Sequence, residues 1–184
     1  MARKVTFEKQ ELLEKTIDFI RKKGISSMNV RDLCKYIGCS TQPIFKNFKN
    51  MEGLGEEIKK YIKNYYTNFT DKIVDKDAYL YTSNYSYTLF ALEEPNLFEA
   101  LFMTDLGGIK TISEIVNNNE DREIIESIPE QYSLSRKQSE RLYRDIKFYT
   151  HGLSCQIACN NLTLKKEEIG ALIRNMINNL RKEI

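Results

Sequence analysis

Between Asn29 and Phe48, two short apolar stripes meet across a single glycine, Gly38. Val30, Leu33, Cys34 and Ile37 recur at i, i+3, i+4 and i+7, which places all four side chains on one face of an α-helix. Asn29 is suited to cap that helix, with Asp32 three residues on as the acid of a capping box. Gly38 stops it. Ser40 suits the next N-cap, and Pro43 falls in the following first turn, where its missing N–H costs no intrahelical bond. Ile44, Phe45 and Phe48 give this second helix its apolar contacts, Phe48 wholly in the core and Phe45 shared between packing and the outside. Two helices set at a fixed angle by one buried stripe form a helix-turn-helix, whose second helix enters the major groove of double-stranded DNA.

Side-chain chemistry then names the expected contacts. Gln42 can pair bidentately with adenine, Lys46 can donate to guanine or to phosphate, and Thr41 can offer a methyl to thymine and a hydroxyl to phosphate. Asn29 and Ser40 stand at helix N-termini, which favour phosphate oxygens. Lys49 and Asn50 stand at the start of a further helix, a second such place.

Apolar residues recur with helical spacing through nearly all of the 184 residues, and strand-like alternation is scarce. The expected fold is all-α. A first helix runs from a Thr6 cap to Lys23, with Leu12, Leu13, Ile17 and Ile20 as its stripe and Gly24 ending it in the left-handed position. A fourth runs from Met51 to about Asn68. Further helices are expected near 75–92, 96–105, 109–127, 135–161 and 165–183, with breaks at Pro95, Gly107-Gly108, Asn117-Asn118-Asn119 and Pro129. This divides the chain into a three-helix reading head over residues 1–50, a bridging helix over 51–68 and a helical domain over 69–184.

Charge sorts along the same division. Residues 1–66 hold 14 Lys and Arg against 8 Asp and Glu, a net +6, whereas residues 67–184 carry −4. A basic front suits a polyanionic partner. No stretch reaches the ~20 apolar residues of a membrane span, and the basic start lacks the apolar core of a secretory signal. The expected compartment is the cytoplasm, with no membrane partner. There the four cysteines are expected as free thiols.

From about Val5 to Tyr65 the sequence resembles the DNA-binding domain of the tetracycline-repressor (TetR) family. The residues that carry the resemblance are Leu12 to Ile20, Gly24, Val30-Arg31-Asp32-Leu33, Ile37-Gly38-Cys39-Ser40, and Ile44 to Asn50 followed by Leu54. It implies that Asn29, Ser40, Thr41, Gln42, Phe45, Lys46 and Asn47 contact DNA. Three positions depart from the family pattern. Thr41-Gln42 stands where Lys-Gly is frequent, Phe45 where tyrosine is usual, and Met51 where lysine is common. These swaps change the bases read and weaken the grip on the phosphate backbone. Farther on, Phe148-Tyr149-Thr150-His151-Gly152 is similar to an aromatic-x-His-Gly stretch of one class of TetR C-terminal domains. The resemblance implies a homodimer, assembled through the last two helices, and a pocket for a small aromatic or amphipathic effector. The expected lining is Tyr65 from the bridging helix, Tyr85 and Phe102 from the aromatic-rich middle helices, and Tyr149 from the helix over 135–161. The function implied is a ligand-responsive repressor that binds a palindromic operator, with no cofactor.

Two other classes stay open on the residues alone. One is a helical protein-interaction module that never touches DNA. The other is a Cys-His enzyme built on His151 and Cys155, which lacks a recognisable third group and an oxyanion loop. A zinc ion shared by all three of His151, Cys155 and Cys159 is excluded by distance, which leaves open only His151 with one cysteine and two ligands from elsewhere. The outer two lie ~12 Å apart along a helix, too far to share an ion bound at ~2.0–2.3 Å.

Overall fold

The computed structural model describes residues 7–104 and 121–184. The Thr6 cap, the Gly107-Gly108 break, the Asn117-Asn118-Asn119 break and most of the helix expected over 109–127 lie outside them. Among the described residues there are nine α-helices and no strand, as the 3.6-residue periodicity predicts. None of these helices is long and apolar enough to cross a membrane.

Packing separates two compact units. The first holds residues 7–66 and 96–104, the second 67–95 and 121–184. The first unit contains α1 (Lys9–Lys23), α2 (Val30–Ile37), α3 (Thr41–Phe48) and α4 (Met51–Thr70) as far as Tyr66. To these it adds all but the first residue of α6 (Pro95–Phe98), which continues into a π-helical turn, Glu99–Met103. Leu12, Ile17, Ile20, Leu33, Ile44 and Leu54 are essentially sealed from solvent. The later segment is tied in by Asn96, whose side-chain amide donates to the Arg21 carbonyl at 2.7 Å and so satisfies an orphan acceptor at the end of α1. Gly24 does have positive φ, at 78°, but its ψ of 156° lies outside the left-handed helical region expected for it. The backbone leaves α1 extended there, in a conformation that only glycine adopts readily.

The second unit contains α5 (Tyr79–Glu93), α7 (Arg122–Tyr132), α8 (Arg136–Ala158) and α9 (Lys166–Lys182). Ser135 and Gln138 form a full capping box at the start of α8. Pro129 does not break α7, contrary to its reading as an interruption. It sits within the last turn, and the helix ends at Tyr132 before a second bond is lost. The core gathers Leu80, Leu89, Ile125, Leu142, Ile146 and Ile173. The stripe Leu142, Ile146, Ile157 of α8 and its counterpart Ile169, Ile173, Ile177 of α9 are buried in this core. Those residues hold the subunit together and are not free for a partner.

A polar seam joins α5 to α8. Thr150 donates to Asn84 Oδ1 at 2.8 Å, and Ser154 donates to Thr88 Oγ1 at 3.1 Å, with all four residues buried.

Candidate nucleic-acid interface

The interface is built from α2, the turn after it, and α3. Asn29 caps α2 by accepting from the backbone N–H groups of Arg31 at 3.1 Å and Asp32 at 3.0 Å. The reciprocal bond of a capping box is altered. Asp32 accepts from the Asn29 side-chain amide at 2.6 Å. The other end of α2 is pinned to α1 by a three-membered network. Asp18 Oδ2 accepts from Lys22 Nζ at 2.8 Å and from Tyr36 Oη at 2.5 Å, while the Tyr36 ring meets Phe19 edge-on. Those two hydrogen bonds hold the Asp18 carboxyl below its usual range. Hydrophobic periodicity does not reveal this network, because Asp18, Lys22 and Tyr36 read as ordinary solvated positions.

Helix α3 shows two faces. Ile44 and Phe48 are buried, whereas Thr41, Gln42, Phe45 and Lys46 are exposed, Phe45 at 40%. Asn47 is half-buried, and its amide donates back to the Pro43 carbonyl at 2.9 Å. Ser40 occupies the N-cap position in extended geometry, yet its hydroxyl makes no capping bond. The exposed face of α3 thus carries a hydroxyl, an amide, an ammonium and one aromatic ring side by side. That combination suits base edges and phosphates.

The junction to α4 is strained. Lys49 has φ 68° and ψ −55°, and the Asn50 N–H donates to the Phe48 carbonyl at 2.8 Å. This is a γ-turn of the rare positive-φ form. Asn50 caps α4 by accepting from the Gly53 N–H at 2.7 Å. The Lys49 side chain is left exposed.

The four residues expected to line a pocket fall in different units. Tyr65 lies under the Arg21 guanidinium at 4.7 Å, and Phe102 packs on Tyr66 and Phe98, all in the first unit. Tyr85, stacked on Tyr81, and Tyr149 both pack against the core of the second.

His151 has a partner that the sequence concealed. Tyr87 Oη lies 2.7 Å from its Nδ1, and Cys155 Sγ lies 3.5 Å from its Nε2. Burial pushes the His151 imidazolium down and the Cys155 thiol up. Both directions disfavour the imidazolium–thiolate pair that a Cys-His nucleophile needs.

No protein-family model and no curated protein sequence matches the chain. Solved structures do. Over 97% of its length the chain superposes on 96% of a TetR variant from Acinetobacter baumannii AYE, solved in complex with minocycline, with a TM-score of 0.59 and 13% identity. Over 94% it superposes on 96% of a TetR transcriptional regulator from Rhodococcus sp. RHA1, with a TM-score of 0.50 and 14% identity. At such identities the likeness is one of fold. The fold is that of the TetR regulators, a helix-turn-helix front followed by a remainder in which the regular elements among the described residues are all helical.

Proposed function

We propose that the chain is a DNA-binding transcriptional regulator that works as a homodimer on a palindromic operator. The observation that carries this reading is the split of α3. Its apolar side is sealed in the core, and Thr41, Gln42 and Lys46 all face out. Gln42 and Thr41 read bases, and Lys46 reads a base or a phosphate. Asn29, Ser40, Asn47 and Lys49 hold the backbone, with Phe45 lying against sugar and phosphate.

One reading head offers few base contacts. A two-fold pair doubles them when the heads sit ~34–36 Å apart. The surface proposed for pairing is the outer face of α8. There Phe148 is 53% exposed, and one turn on, Gly152 has open space where a β-carbon would stand. An exposed phenylalanine beside a bare glycine fits the self-complementary contact of a two-fold interface.

The Acinetobacter neighbour is in complex with minocycline. For this chain the corresponding proposal is a small aromatic or amphipathic effector taken up by residues 69–184, with Tyr85 and Tyr149 as first candidates. Such an effector would act on operator affinity through α4, which runs unbroken from Met51 to Thr70. The expected outcome is repression relieved by the effector, in the cytoplasm.

The deciding experiment is selection of bound sequences from a random duplex pool. A palindromic winner, bound with an affinity that falls steeply as salt rises, is the expected result. Recovery of no sequence above background, at any salt, would leave the helical interaction module as the better reading.

A further inference from the structure

The turn of the helix-turn-helix carries two thiols in one place. At the end of α2, the N–H groups of Gly38 and Cys39 both donate to the Cys34 carbonyl, at 2.9 and 3.0 Å, and Gly38 is left-handed at φ 79° and ψ 36°. This cap folds the residue after the glycine back over the last helical turn, so that the side chains at positions 34 and 39 meet. That contact is ordinarily between two hydrophobic residues. Here both are cysteines, and both are free. The Cys34 thiol also donates to the Ser40 carbonyl at 3.4 Å, the residue that opens α3.

We propose that Cys34 and Cys39 form a reversible intrachain disulfide, a modification site by which a low-molecular-weight disulfide oxidant loosens the α3 reading head. Two cysteines joined across such a cap fall within the backbone separation that a disulfide spans. The half-exposed Cys39 meets the oxidant first. Its thiolate attacks one sulfur of the oxidant, forming a mixed disulfide and expelling one thiolate. The buried Cys34 then attacks the Cys39 sulfur and expels the second thiolate. Two cysteine thiols are oxidised, one oxidant disulfide is reduced to two thiols, and these take up both protons. Burial, with the neighbouring Cys39, pushes the Cys34 thiol up to about 11. Cys34 is therefore the resolving thiol, and proximity offsets its small thiolate fraction. Once oxidised, Cys34 has no proton to give to the Ser40 carbonyl, and the entry to α3 loses its tie to α2. The loss of duplex affinity rests on the function proposed above; the disulfide does not.

The test uses the full chain with Cys155→Ser and Cys159→Ser, so that Cys34 and Cys39 are the remaining cysteines. It is treated with oxidised glutathione, blocked with N-ethylmaleimide and digested with trypsin. Lys35 lies between the two cysteines, so trypsin separates them unless their sulfurs are joined. The expected result is a linked peptide pair from a chain that runs as a monomer on a non-reducing gel, with duplex affinity lowered about tenfold and restored by dithiothreitol. Adding Cys39→Ser abolishes both effects. Glutathione retained on Cys39 alone, or a link between two chains, overturns the disulfide. A mapped disulfide with undiminished affinity overturns the switch. If the reduced protein binds no duplex, the proposed function fails, and the peptide map still decides the disulfide.

Discussion

A β-carbon on Gly53 would stand 2.2 Å from the backbone carbonyl oxygen of Phe48. The γ-turn at Lys49 folds the last carbonyl of α3 onto the first turn of α4, and only a residue without a side chain leaves room for it. Gly53→Ala must open that turn, at an expected cost of about 1–3 kcal/mol in urea denaturation. Gly55 is the control, since a β-carbon there meets nothing within 4 Å. Gly55→Ala should gain up to ~1 kcal/mol from helix propensity. Equal responses from the two variants would refute the close approach.

The same turn sets stability against the proposed phosphate contact at Lys49. Holding a lysine at φ 68° costs ~1 kcal/mol or more. Lys49→Gly should therefore raise the unfolding midpoint while weakening duplex binding, because the strain places an ammonium where phosphate is expected. A variant that is stabilised and still binds duplex with the parent's affinity and salt slope would remove Lys49 from the interface.

The contacts proposed for α3 and for its C-cap residue Lys49 differ by chemistry. Gln42→Ala should relax preference at one base position, at ~1–3 kcal/mol of discrimination. Lys49→Ala should weaken every sequence about equally and reduce the salt slope by about one. Competition titrations with single-base operator variants separate the two patterns, and their reversal would exchange the assignments.

The fold was legible because helices that bury one face advertise it every three or four residues. Val30, Leu33, Cys34 and Ile37 gave α2 to the residue, and the Ser40–Pro43 pair placed the start of α3 within one position. The polar pairings that support the two units were not legible in this way. Asp18 and Tyr36 are 18 positions apart, and Thr150 and Asn84 are 66 apart. Pairings at such separation depend on which helices pack, and periodicity does not report that. Which surface of the last two helices meets a partner is hidden from the sequence for a related reason. Leu142 and Ile146 look the same in sequence whether they face a sister helix or a second subunit.

The buried seam predicts its own cost. Thr150→Val keeps the volume and deletes the hydroxyl that donates to Asn84 Oδ1. Asn84 is then left with an acceptor sealed from water, at about 1–3 kcal/mol. Ser154→Ala should cost less, because the Thr88 hydroxyl also donates to the Asn84 carbonyl at 3.0 Å and keeps that partner. Thermal or urea denaturation ranks the two, and an inverted ranking would show that the seam is open to water.

His151 is the sole histidine, so it is the one side chain whose ordinary range falls between pH 5 and 8. Its folded-state pKa is lowered, first by burial and then by the charge of Lys147. Below its ordinary value near 6.5 the unfolded chain therefore takes a proton that the folded chain refuses. The unfolded state binds more protons across this window, so stability rises with pH there and is lost as pH falls. The carboxylates held low by ion pairs and hydrogen bonds, Asp18, Glu57 and Glu126, lose their contribution only below 3.8 to 4.5. They leave the upper window to His151. The expected result is a melting temperature that declines from pH 7.5 to 5.5 in the parent and stays flat in His151→Gln, where the amide retains a partner for Tyr87. A parent curve as flat as that of the variant would mean that the imidazole reaches water, and that its bond to Tyr87 does not hold it inside the second unit.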